Sequence, residues 1–355
     1  MPPSASDLLR ALVRFPSLSH HEAAVADYVE ATGRAQGVRA ERIDDNVLLS
    51  LGEGDDVLLL NSHLDVVPPS AGMPHGAFDG YESGGVLWGR GTVDAKASGA
   101  AMLAALFRLH ADGFTPANGR VLVALTACEE TGGGYNGMEA IRPRLPPLAG
   151  ALVGEPTEVR PCLAQKGLLI LNAEARGRTA HAARAHLGEN AVLKAARAIA
   201  DLDGLAFERD DSFLGRPTLT VTTIEGGSAK NVVPDRCRFT LDVRSTPTYT
   251  HAELFALVRT AAPGVEITVH SDRLVPVRTA PESRIARAVL SALPGAVPFG
   301  SPTASDWVFL ADVPTVKIGP GPSERSHTAD ERIELAEVER AAEAYAAIAR
   351  AFFGA

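Results

Sequence analysis

Thiols are scarce in this sequence: Cys128, Cys162 and Cys237 are the only cysteines in 355 residues. An odd, scattered set builds no disulfide framework. No two of them form a Cys-x-x-Cys pair, so a thiolate zinc site is not expected. Long apolar runs are also missing. No stretch reaches the roughly 20 consecutive apolar residues of a membrane span. The start, Met1-Pro2-Pro3-Ser4-Ala5-Ser6-Asp7, has neither the basic nor the apolar segment of a signal peptide. Clusters of Lys and Arg are absent, and the net charge of −9 works against a phosphate-backbone partner. These absences argue for no nucleic acid, no membrane, and a reducing cytoplasm as the compartment. No internal repeat is visible.

What the chain does have is core. Apolar residues make up 46% of it, and its length suits two domains. Near the N-terminus, Ser6 or Asp7 is placed to cap a helix through Leu8–Val13, and a second helix follows from His21. The runs at 47–51, 57–61, 121–125 and 151–153 read as strands, several of them continuously apolar as in a sheet buried on both faces. Ala97–Leu109 reads as a strong helix between them. From about Gly167 to Arg273 the pattern changes to alternating strands with two helices, a compact α+β unit. Helix (282–293), buried strand (315–318) and an Ala-rich helix (335–352) then close the chain. The expected fold class is therefore α/β, a mixed and mostly parallel sheet flanked by helices. It is built from residues 1–167 and 274–355, with an α+β domain inserted at 168–273.

Chemistry-bearing residues gather just after the predicted strands, where α/β sheets bind their ligands. His63-Leu64-Asp65 follows the second strand. Gly89-Arg90-Gly91-Thr92-Val93-Asp94-Ala95-Lys96 opens the Ala97 helix. Cys128-Glu129-Glu130-Thr131-Gly132-Gly133 follows the strand at 121–125, and Gly154-Glu155-Pro156-Thr157 the one at 151–153. Far downstream stands Gly319-Pro320-Gly321, with His327-Thr328-Ala329-Asp330-Glu331 beyond it. Singly, each admits a plainer account. Asp94 reads as a helix cap, Glu129–Glu130 as a solvated acidic turn, and His327 as an exposed loop histidine. Adjacent carboxylates after a buried strand nonetheless repel unless a positive charge is near. One of them could bind metal while the other takes a proton from water.

Taken in order, the five motifs resemble a large family of co-catalytic zinc hydrolases that includes acetylornithine deacetylase, succinyl-diaminopimelate desuccinylase, aminoacylase and a carboxypeptidase. The resemblance spans essentially the whole chain. It implies two divalent cations, zinc first, with cobalt and manganese also compatible with a His and carboxylate donor set. By the resemblance Asp94 bridges both ions, His63 and Glu155 complete one site, and Glu130 and His327 the other. Asp65 orients His63. Glu129 becomes the general base, generating a metal-bridging hydroxide. His181 donates to the tetrahedral oxyanion, from its own or a second subunit. Asn231 and Arg244 hold the substrate carboxylate, for which Arg has the bidentate geometry, and Ser305 and Asp306 lie near the substrate end. His186 matches no ligand position, and Cys128 reads as a small buried residue. The chain departs from the family pattern at Ala97, Ala180 and Ala185, positions that shape backbone and supply no ligand.

The resemblance further implies a small N-acyl amino acid as substrate and a homodimer formed through the inserted domain. Lys166-Gly167 is closer to deacetylases than the Arg-Gly of desuccinylases. The expectation is thus an N-acetylornithine deacetylase of arginine synthesis, with acetylcitrulline, acetyl-lysine and succinyl-diaminopimelate hydrolysis or dipeptidase activity as alternatives. A non-catalytic metal-binding protein is the reading from a different class, and the presence of the base and every ligand argues against it.

Overall fold

Strand Asp56–His63 sits at the middle of the larger of two units, its Val57–Leu60 run buried on both faces. The computed structural model describes residues 1–116, 118–131 and 134–354, so Gly132 and Gly133 of the third motif lie outside the described residues. The first unit comprises 1–163, 278–299 and 305–355, and the second 164–277 with 300–304. The short piece 300–304 clusters with the second unit, although it follows the inserted segment in sequence.

In the sheet of the first unit, Gly119–Thr126, Asp56–His63, Gly150–Val153 and Thr315–Lys317 run parallel in that spatial order. Asn46–Leu51 and then Arg39–Ile43 extend one side antiparallel, and Cys162–Gln165 the other. The sheet is mixed with a parallel centre, as expected. Its register aligns the strand ends. His63 pairs with Thr126, Asn61 with Val153, and Val153 with Lys317. Four strand ends therefore stop nearly level, and the loops leaving them all emerge at one edge.

Helix Lys96–Ala111 is buried almost throughout. Its Ala, Gly and Ser residues let it lie close against the sheet and against helices Ala5–Val13 and Leu335–Phe353. The first helix begins earlier than its sequence suggests: Ser4, not Ser6 or Asp7, is the cap, its side chain accepting from the Asp7 N–H. A small antiparallel sheet of Tyr81–Ser83, Val86–Trp88 and Arg332–Glu334 has no counterpart among the expected strands, because each of its strands has only three residues. It pairs Arg332 with Trp88 and so brings the end of the fifth motif beside the start of the second.

The second unit is an antiparallel sheet in the order Thr218–Gly226, Arg236–Ser245, Gly167–Arg176, Val265–Leu274. Leu169, Leu171, Ala173 and Ala175 alternate inward with Phe239, Leu241 and Val243, the period of a sheet covered on one face. Helices Ala191–Asp203 and His251–Ala261 provide the cover. Asn190 caps the former, and a Thr250/Glu253 capping box the latter.

Candidate metal centre

All the expected ligands fall within the first unit, at the edge where the parallel strands end. His63 is the last residue of its strand and is buried. Its Nδ1 lies 2.9 Å from the Asp65 carbonyl and 3.4 Å from Asp65 Oδ1. That contact leaves Nε2 to face Asp94 Oδ1 at 3.2 Å. Asp65 does more than orient this ring. Its two carboxylate oxygens accept the backbone N–H groups of Glu129 and Glu130, each at 3.0 Å, and Oδ2 also accepts from the Ser19 hydroxyl.

Asp94 is not a helix cap. The cap position of the following helix is Ala95, with no side-chain bond. The Asp94 carboxylate points elsewhere: Oδ1 to His63, and Oδ2 to the Ser326 hydroxyl and, at 3.3 Å, to His327 Nε2. The same His327 nitrogen lies 2.9 Å from Glu130 Oε1. The ligand atoms of His63, Asp94 and Glu130 all fall within 4.8 Å of one another. Half of the His327 side chain remains open to solvent, so the cluster lies at an accessible surface.

Glu155 follows strand Gly150–Val153, and its loop is held against the Gly319 loop by Thr157 N–H to the Gly319 carbonyl. A Cβ on Gly319 would stand 2.3 Å from Ser98 Oγ and 2.6 Å from the Glu155 carbonyl, so this approach requires glycine. Cys128 is buried at left-handed φ, its N–H and thiol both directed to Glu22 Oε1, and burial pushes the thiol up to about 12. It is a packing residue, as its sequence context suggested, and no nucleophile.

The electrostatics describe a site short of positive charge. Burial, then crowding by Glu155, Asp306 and Glu130, pushes Glu129 well above the carboxylate range against the opposing pull of His63. Burial and Asp94 push Glu155 up to about 8, which nearby Lys317 only partly offsets. Burial and Asp94 also raise Glu130. Hydrogen bonds donated to Asp94 and Glu130 carry His327 up to about 10. Burial opposes charge on His63, yet Asp65 and Asp94 hold it well above its usual value. Buried, mutually crowding carboxylates beside histidines form a donor set whose charge divalent cations would balance. The donors are nitrogen and oxygen only, a set that fits zinc and also manganese or cobalt.

Several participants were invisible as such in the sequence. Asp306 is buried, accepting from Thr126 Oγ1 at 3.0 Å and Asn136 Nδ2 at 2.8 Å, so its carboxylate braces the strand end before Glu129. Both it and Ser305 lie in the interior at under a twentieth exposure. In that placement Asp306 is held by both of these bonds, and Ser305 beside it is equally enclosed. Glu22 acts on the cluster through the Cys128 N–H beside Glu129, and Ser326 through its hydroxyl on Asp94. Glu331 accepts the Asp94 N–H and pairs with Arg90. The only sequence signal for Arg90 and Glu331 was their place inside two of the five motifs.

The remaining expected residues lie in the second unit. His181 is exposed, and its Nδ1 accepts the Ala183 N–H at 3.1 Å. Asn231 is next to it through local pairing, its carbonyl accepting from the Ala182 N–H while His181 bridges to Val232. Arg244 makes a bidentate pair with Asp242 two residues before it, at 2.9 and 3.0 Å. His186 lies on the exposed turn Ala182–Leu187.

A family model described as Peptidase family M20/M25/M40 matches residues 59–351. Succinyl-diaminopimelate desuccinylase of Dinoroseobacter shibae is 31% identical over 373 residues, covering 96% of this chain and 97% of that protein. The enzyme of the same name from Cereibacter sphaeroides is 29% identical over 383 residues, covering 99% and 100%. Aminopeptidase PepT from Bacillus cereus has the same fold, with a TM-score of 0.81 at 23% identity over 98% of both chains. A Bacillus subtilis protein described as a dinuclear metal binding peptidase gives a TM-score of 0.75 at 14% identity over 97% and 96%. With a sheet edge that presents two histidines and a group of crowded carboxylates, and with a family match over most of its length, the chain belongs to the M20/M25/M40 peptidase family of amide-bond hydrolases.

Proposed function

We propose that this chain is a two-cation amidohydrolase that cleaves the acyl amide of an N-acylated amino acid. One observation carries the reading: the two oxygens of Asp94 face two different histidines, Oδ1 to His63 at 3.2 Å and Oδ2 to His327 at 3.3 Å. A carboxylate so flanked would be placed to hold cations on both of its oxygens. His63 and Glu155 would complete one, Glu130 and His327 the other. Bound divalent ions there supply Lewis-acid polarisation of the amide carbonyl and acidify water.

The chain's own groups do the rest. Glu129 adjoins the ligand Glu130, is held at its backbone by Asp65, and has a pKa raised by burial, which suits it to take a proton from water and return it to the leaving amine. His181 accepts at Nδ1, which puts its proton on Nε2 in the neutral tautomer and makes that atom a hydrogen-bond donor fit for an oxyanion. Arg244 and Asn231 are assigned to the substrate carboxylate, and Ser305 to the substrate end. Zinc is the cation proposed, a homodimer through the second unit the assembly, and the cytoplasm the compartment. Among the described residues no helix is long and apolar enough to cross a membrane. Strand Thr218–Gly226 ends its sheet and leaves Ile224 at 57% exposure, a surface a second copy could cover.

For the acyl group, the names of the relatives support N-succinyl-diaminopimelate as the first substrate. Lys166 favours the second, acetylornithine. Its ammonium is engaged by the Arg216 carbonyl at 2.8 Å, where an arginine would reach further toward a second carboxylate. Turnover of both, of acetylcitrulline, acetyl-lysine and small dipeptides, measured as kcat/KM on zinc-reconstituted protein, separates these readings. Activity on any of them that survives a strong chelator rejects the two-cation mechanism.

A further inference from the structure

Glu331 closes the fifth motif and is buried at 1% exposure. Its Oε1 accepts the backbone N–H groups of Gly91 at 2.9 Å, Val93 at 3.0 Å and Asp94 at 3.2 Å. Its Oε2 receives Nη1 of Arg90, itself buried at 1% exposure. The other Arg90 nitrogen, Nη2, donates to Ser70 Oγ at 2.7 Å, and Ser70 Oγ donates to the His327 carbonyl at 3.0 Å. The Gly89 N–H reaches the Glu331 carbonyl, continuing the pairing of Arg332 with Trp88. Three N–H groups can converge on one oxygen because Gly91 stands at φ +87°, where a Cβ would lie 2.7 Å from Val66.

This network contains none of the proposed ligands' side chains, yet it touches the backbone at both Asp94 and His327. The Ser326 hydroxyl on Asp94 and the pairing of Arg332 with Trp88 also join these loops. The Glu331 network adds a buried tie at the Asp94 amide itself, where a shift of either loop would turn one Asp94 oxygen away from its histidine. We propose that Glu331, acting through Arg90 and Ser70, is a positioning residue that locks the Asp94 loop to the His327 loop and so sets the affinity of the cation held by Asp94, Glu130 and His327. The inference rests on the two-cation reading. A carboxylate is needed at this position because it alone supplies acceptor capacity for three amides on one oxygen and for a guanidinium on the other. Glutamine would keep the first and oppose the second with an N–H₂ donor, which releases Arg90 and with it Ser70 and the His327 loop.

The test titrates zinc into chelator-treated full-length protein by equilibrium dialysis, with metal counted by atomic emission, for wild type, Glu331→Gln and Ser70→Ala. Wild type is expected to take up two ions. Glu331→Gln should retain one tightly and bind the other about 10- to 100-fold more weakly, the usual loss when a ligand's supporting partner goes. Ser70→Ala, a half-exposed hydroxyl whose removal spares the buried pair, should weaken the second ion several-fold without lowering the Tm of the metal-free protein. A role confined to fold stability would instead lower that Tm in Glu331→Gln and leave both affinities unchanged, and this result overturns the inference. If Glu331→Gln does not fold, wild-type affinity for both ions in Ser70→Ala overturns it. Wild type binding fewer than two ions rejects the underlying reading first, a separate outcome.

Discussion

The edge of the parallel sheet and the open face of the antiparallel sheet are both rich in charge, but they treat it oppositely. At the first, Glu129 and Glu155 are withdrawn from water and crowded by like charges, and their pKa values rise. On the second, Glu174 pairs with Arg176 at 2.9 Å and with Arg238 at 2.8 Å, and these arginines draw its pKa down. Each arrangement is self-consistent only with different company. The antiparallel face is already neutralised by its own side chains and has water beside it. The parallel edge needs charge from outside the chain. An acidic cluster points to function when its carboxylates are buried and unneutralised, and to solubility when they are exposed and matched.

Four experiments press on this contrast. Glu129→Gln should lower kcat by about 10²- to 10⁴-fold while zinc content is kept, measured by steady-state kinetics beside atomic emission. Near-normal kcat would remove Glu129 as base. Next in size is His181→Ala, expected to cost about 10²-fold in kcat with metal content intact. An unchanged rate would leave this histidine as lid surface.

The third experiment concerns pH. Without metal, burial and Asp94 push Glu155 up to about 8, against an ordinary value of 4.5 in the unfolded chain. Between those values the folded state holds a proton that the unfolded state has lost, so stability falls as pH rises through the window. His327, raised to about 10 from 6.5, adds to the same trend above neutrality. Zinc replaces those protons, so metal binding should release protons and strengthen with pH, and zinc-loaded protein should lose the downward slope. Chemical denaturation at pH 5, 6, 7 and 8 with and without zinc reads this directly. A metal-free stability that climbs over the range contradicts the crowded-carboxylate picture. The smallest effect is expected on the antiparallel face. Arg238→Ala removes an exposed partner of Glu174 and should leave the denaturant midpoint almost unchanged. A larger loss, seen in the denaturant midpoint, would mean that this face too depends on its charges.

Much of the centre was legible in the residues. Val57–Leu60 and Val121–Leu125 declare buried strands by continuous apolarity, and helix Leu335–Phe353 declares itself by its length and alanines. His63, Glu129, Glu130 and Glu155 follow such strands within a few positions, so their placement at one edge follows from a parallel sheet. The three-residue strands around Tyr81, Val86 and Arg332 carry too little pattern to be seen. Asp94 looked like a cap because caps and ligands use the same side chain before a helix. Only its surroundings distinguish the two.

Composition and periodicity by themselves indicated the fold class and the change of character in mid-chain, since these depend on short-range burial pattern, while the candidate residues came from the order of the motifs and the family resemblance it carries. The tertiary structure alone decided which oxygen of Asp94 meets which histidine. It also turned Asp65 toward the Glu129–Glu130 backbone, made Asp306 a brace, and gave Glu331 hold of the Asp94 loop across 237 positions of sequence. Contacts of that span leave no periodic trace in the chain. They exist only once sheet register and loop closure have brought the strand ends level, and that closure is where the charge balance of the site is set.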